Sequence, residues 1–137
     1  MTDDDLLALR PRLDLAPGNS PAEAFQNATL RPLLKLQHGA LARGWHRYAD
    51  KQKGRFYRLN RPEQRDYLRH AVRTNRDLRA YLLATVTALM TADEWRRFRT
   101  HESELARRLY AMATERLESD DAIFAEPASD RPDGRAD

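Results

Sequence analysis

Cysteine is absent from the 137 residues, which excludes disulfides, thiolate nucleophiles and cysteine-bound zinc. Glycine is scarce, at five residues, and none forms a phosphate-cradling loop. No serine sits in the strained G-x-S-x-G turn that activates a hydroxyl nucleophile. β-branched residues are few, and nowhere do they alternate with polar ones as a half-buried strand requires. No apolar run approaches the roughly 20 residues needed to span a bilayer. The N-terminus, MTDDDLLALRPRLDL, is acidic where a signal peptide is basic. These absences predict a cytoplasmic, strand-free protein with no membrane association, no cofactor and no metal.

What remains is rich in Leu, Ala, Arg and Glu, which favours helix. The length fits one domain. The charge is unevenly spread. From Arg31 to Arg116 there are 20 Lys plus Arg against 9 Asp plus Glu, a net +11; the two ends hold 4 basic and 12 acidic residues, a net −8. A cationic body thus carries two acidic ends. Of the 24 basic residues, 21 are arginine, a bias that GC-rich coding alone can produce.

Three helix starts are written in the sequence as cap residues followed by an acid three positions later: Ser20 with Glu23, Asn60 with Glu63, and Thr91 with Glu94. Residues 1–19, containing Pro11, Pro17 and Gly18, read as an extended acidic arm with at most a turn of helix near Leu6. Residues 20–118 read as the helical domain. Its first helix kinks near Pro32, which removes a backbone donor. The apolar face continues through Leu30, Leu33, Leu34, Leu41, Trp45 and Tyr48 to a stop near Gly54. A third helix starts at Asn60 with Tyr67, Leu68, Ala71 and Val72 inward. A fourth, about residues 76–90, presents Leu78, Tyr81, Leu82 and Leu89. A last unbroken helix runs to about Glu118 with Trp95, Phe98, Leu105, Leu109, Met112 and Ala113 inward. The pattern predicts an all-α, antiparallel four-helix bundle, with Phe25 near Met112. Residues 119–137, polar with Pro and Gly, read as a disordered acidic tail.

The run LDLAPGNSPAEAFQNATLRPLLKLQHGAL, with NRDLRAYLLATVTALMTADEW and HESELARRL further on, resembles a family of small bacterial proteins, some labelled glyoxalase. The resemblance covers about residues 13–118. It implies a bacterial helical protein and delivers no particular reaction. The glyoxalase I fold is assembled from βαβββ modules, so a chain without strand patterns fits the label poorly.

Two sets of residues are candidates for function. Arg61, Arg65, Arg69 and Arg73 form a row at four-residue spacing, where neighbouring like charges repel on a helix. Arg43 and Arg47 form a second row with Lys51 on the preceding long helix. Were those helices neighbours, the rows would merge into one positive surface. Such a surface suits an acidic protein partner; nucleic-acid phosphates are the alternative, and the chain's own acidic ends are competing counter-ions. Exposed Tyr and Leu would support a homodimer. The second set is polar and falls on predicted inner faces: Glu102 between Phe98 and Leu105, Gln37 between Leu34 and Leu41 with His38 beside it, and Thr85 between Leu82 and Leu89. An ionised carboxylate there needs partners. It implies either a polar layer fixing helix register or a small-molecule pocket anchored by Glu102. Gln37, His38 and Glu102 are also the one trio with glyoxalase-type ligand groups. One inward carboxylate is too few for a di-metal site of the ferritin kind.

Overall fold

The computed structural model describes residues 1–128. Among them every regular element is helical and none is a strand. Helix α1 spans Asp3–Ala8, α2 Pro21–Phe25, α3 Arg31–Leu36, α4 His38–Lys51, α5 Arg61–Thr74, α6 Arg76–Thr87, α7 Ala92–Thr100 and α8 Glu102–Glu118. A π-helical turn, Gln26–Leu30, joins α2 to α3, and short 3₁₀ turns occupy Arg55–Arg58 and Asp121–Phe124.

The caps behave much as their side chains dictate. Asn60 with Glu63 and Thr91 with Glu94 close full capping boxes. At the third start Ser20 accepts from the Glu23 N–H, but the Glu23 carboxylate takes the Asn19 N–H at 2.9 Å instead of that of Ser20. Asn75 alone separates α5 from α6. Its N–H closes α5 on the Ala71 carbonyl at 2.8 Å, and its side chain caps α6 by accepting from the Leu78 N–H at 2.9 Å.

The kink at Pro32 is absorbed upstream. Proline has no N–H and its ring crowds the carbonyl four residues back. The π turn Gln26–Leu30 widens the helix just before it, and the Arg31 N–H reaches the Gln26 carbonyl. The chain then bends again at Gln37, which leaves helical geometry at φ −95°, ψ 11°. At the far end of α4, Gly54 adopts φ +66° and donates to the Ala49 carbonyl at 3.0 Å, ending the helix as the sequence indicates.

One core holds these elements together. Leu30, Leu33, Leu41, Trp45, Phe56, Leu68, Leu82, Val86, Phe98, Leu109 and Leu117 are fully buried. Trp45 packs edge-on to Phe56 at 4.9 Å and to Tyr67 at 6.2 Å, tying α4 to the 3₁₀ turn and α5. Helix α4 packs on α6 and α8, and α5 packs on the same two helices.

Three sequence expectations need correction. The last helix is broken: His101 takes φ −127°, ψ 40°, so α7 and α8 are separate segments. The break moves the inward face, and Trp95 is 42% exposed. Phe25 lines a groove with Arg97, His101 and Leu105, whereas Met112 lines a different one. The N-terminal arm carries the short helix α1 around Leu6, closed by a Thr2–Asp5 capping box, and Arg10 reaches from it into the body. The acidic tail is ordered at its start, where Ile123 and Phe124 enter the core. Buried Gln64 fixes that turn by donating to the Phe56 carbonyl at 3.0 Å and the Phe124 carbonyl at 2.9 Å. The part of the predicted disordered tail from residue 129 onward lies outside the described residues.

Candidate anion-binding surface

The four arginines of α5 are all exposed, and they divide into two pairs. Arg69 makes a forked bond to Glu118 of α8, Nε to Oε1 at 2.6 Å and Nη2 to Oε2 at 3.3 Å. The Arg61 guanidinium lies 4.0 Å from the centre of the Phe124 ring and 3.5 Å from an Asp121 carboxylate oxygen. Arg65 and Arg73 have no ion-pair partner among the described residues. The chain's own carboxylates thus occupy every other arginine of the row. Repulsion along the row is relieved at two positions and left standing at two.

Arg43 and Arg47 are exposed on α4. They do not join the α5 row, because α4 and α5 each pack on α6 and α8 rather than side by side. Arg47 lines a separate depression with Lys51, Asp77 and Tyr81.

The α5 row runs instead into a groove of about 600 Å³ between α5, α6 and α8. Arg73, Arg79 and Arg107 line it, with Tyr110 and Ser103. Arg79 is fixed: its guanidinium carbon stands 4.0 Å from the Tyr110 ring centre, and Nη1 donates to the Val72 carbonyl at 2.8 Å. That carbonyl belongs to the last turn of α5, where a cation is favoured by the helix dipole. Burial raises the Tyr110 pKa, Arg79 opposes the rise and Glu102 adds to it. Glu102 is the acid in the lining, and its Oε1 is ion-paired with Arg99, 2.9 Å from Nε.

The core polar set does not assemble around Glu102. With the helix broken at His101, Glu102 sits in the first turn of α8 with 47% of its side chain exposed. Gln37 and Thr85 do come together, Gln37 Nε2 donating to the Thr85 carbonyl at 3.0 Å. The Thr85 hydroxyl donates back to the Tyr81 carbonyl. His38 turns elsewhere, its Nε2 2.7 Å from an Asp120 carboxylate oxygen. That hydrogen bond is the first of the interactions holding the Asp120 carboxyl below its ordinary pKa. Nearby, His46 Nδ1 meets the Tyr57 hydroxyl at 2.6 Å. Burial lowers the His46 pKa, and burial with the Glu126 and Asp50 charges pushes Tyr57 up to about 12. No group of three His, Asp or Glu side chains among the described residues could hold a metal ion.

The buried carboxylate is Glu94, which the sequence reveals only as a cap. Arg10 Nη1 and Nη2 each donate to it at 2.6 Å, with the two side chains 7% and 8% exposed. Thr29 donates its hydroxyl to the same group, and the Thr91 N–H adds a further bond. Arg10 lies 84 residues away in sequence, so no local spacing could have shown the pair.

Searches of family models, curated proteins and solved structures find no match to this chain.

Proposed function

We propose that the chain is a non-enzymatic binding or adaptor protein. In this reading an antiparallel four-helix bundle with a kinked first helix is the scaffold, and the cytoplasm is its compartment. The face centred on Arg61, Arg65, Arg69 and Arg73 holds an acidic protein partner. The observation that carries the reading is the pairing along α5. Glu118 and Asp121 already sit on Arg69 and Arg61, while Arg65 and Arg73 have no carboxylate among the described residues. The forked Arg69–Glu118 bond is the geometry that favours a planar carboxylate. An acidic segment laid along α5 would repeat that contact at the two vacant positions. Among the described residues no helix is long and apolar enough to cross a membrane.

The reading is tested by fluorescence anisotropy with a labelled oligoglutamate peptide. The Arg65→Glu/Arg73→Glu variant is expected to bind at least about tenfold more weakly, since each 1.4 kcal/mol is a factor of ten. Raising the salt should weaken wild-type binding steeply, because exposed charges are screened. Unchanged affinity in the reversed variant, or tighter binding to duplex DNA than to the peptide, would refute the reading.

A further inference from the structure

We propose that the groove between α5, α6 and α8 is a binding site for a small organic phosphate ester. Arg73 and Arg107 take the phosphoryl dianion, and the Arg79–Tyr110 stack forms a ledge for the organic part. This goes beyond the partner-binding reading: Arg73 is common to the two, but Arg65 belongs to that face alone, and Arg79, Arg107 and Tyr110 belong to the groove alone.

Charge balance separates this groove from the larger one. The groove of about 800 Å³ beside Phe25 is lined by Arg10, Glu94, Arg97 and Glu104. Each of these has an opposite partner: Arg10 with Glu94, Arg97 with Asp93, and Glu104 with Arg108. Little net field is left there for a charged ligand. In the smaller groove, Arg73, Arg79 and Arg107 have no carboxylate partner among the described residues, and Glu102 is held by Arg99. Three guanidiniums around about 600 Å³ concentrate positive potential in a partly enclosed space.

Shape and pre-organisation then select the ligand class. The volume lies within the roughly 300–1,000 Å³ usual for small-molecule sites. Val72, Leu83, Ala106 and Ala111 give it apolar walls, which bare phosphate would not use and an ester's organic group would. Arg79 is already immobilised by the Val72 carbonyl and the Tyr110 ring, so ordering it costs the bound state little. A lone carboxylate is satisfied by one forked arginine, whereas a dianion with three equivalent oxygens uses two. The Ser103 hydroxyl supplies a further donor in the lining.

The test is isothermal titration of the full chain with phenyl phosphate, inorganic phosphate and benzoate at constant ionic strength. Phenyl phosphate is expected to bind saturably, inorganic phosphate more weakly, and benzoate at least about tenfold more weakly. Arg107→Ala should weaken phenyl phosphate at least about tenfold, and Arg107→Lys, which keeps the charge but loses the fork, should fall between. Arg65→Ala should leave it unchanged while weakening oligoglutamate, so failure of this site and failure of the partner face give different patterns. The proposal is overturned by absent saturation with phenyl phosphate, by equal losses in Arg65→Ala and Arg107→Ala, by benzoate matching phenyl phosphate, or by a phosphoserine peptide binding more tightly than phenyl phosphate.

Discussion

Glu94→Ala is expected to cost about 3–5 kcal/mol of folding stability, the usual penalty for removing one partner of a buried ion pair. The reason is what stays behind. Arg10 would keep its charge at a site 93% shielded from solvent, with the Leu89 carbonyl as its remaining partner at 3.1 Å. The same change removes the carboxylate that accepts the Thr91 N–H, one of the two bonds of the α7 capping box, which adds to the loss. For a domain held by about 5–15 kcal/mol the sum is a large fraction of the total. Glu94→Gln, which preserves shape and part of the cap, should fall between wild type and alanine. Urea denaturation followed by circular dichroism measures both, and a loss below about 1 kcal/mol for alanine would show that the pair is not desolvated.

The same residue sets a pH dependence. Burial by itself raises the Glu94 pKa, but the Arg10 and Thr91 bonds outweigh it and the net shift is downward. A depressed folded pKa means that the stabilisation is complete above the ordinary glutamate range. It is lost as the pH falls through the lower folded value. Wild type should therefore lose stability across that acid window by more than Glu94→Gln does.

Gly44→Ala should also destabilise, against the intrinsic preference of helices for alanine. A Cβ at position 44 would overlap the Tyr81 ring, with Cζ only 2.8 Å away. Tyr81 is held in place by its hydroxyl, which donates to the Ala40 carbonyl at 2.9 Å. Overpacking of this kind costs about 1–3 kcal/mol, more than the roughly 0.8–1.0 kcal/mol alanine gains over glycine in a helix. Removing the ring should reverse the sign. In a Tyr81→Ala background, Gly44→Ala is expected to stabilise by up to about 1 kcal/mol. Destabilisation of equal size in both backgrounds would mean that the ring is not the cause.

These positions also show which features the sequence could express. Caps and apolar stripes are local, so Asn60–Glu63, Thr91–Glu94 and the Leu30-to-Trp45 face could be read directly. A glycine inside a helix, as at Gly44, marks a close approach, but nothing local to it identifies Tyr81 as the neighbour. A 3.6-residue rhythm continued through His101 puts Glu102 on the inner face, whereas the backbone leaves the helix at His101. Ile123 and Phe124 were lost in a polar stretch too short to show any period, yet both enter the core. The Arg10–Glu94 pair joins residues far apart in sequence. The groove at Arg73, Arg79 and Arg107 draws its arginines from three helices, so only their packing could reveal it.

The central claim is that α5 recognises carboxylates and that the chain's own acids already hold part of its capacity. The most direct measurement is oligoglutamate affinity for the Glu118→Gln/Asp121→Asn variant against wild type. Glu118 and Asp121 occupy Arg69 and Arg61, so releasing those arginines should tighten binding by several-fold, with the gain disappearing when Arg65→Glu and Arg73→Glu are added. Affinity that stays the same or falls in the Glu118→Gln/Asp121→Asn variant would contradict the account.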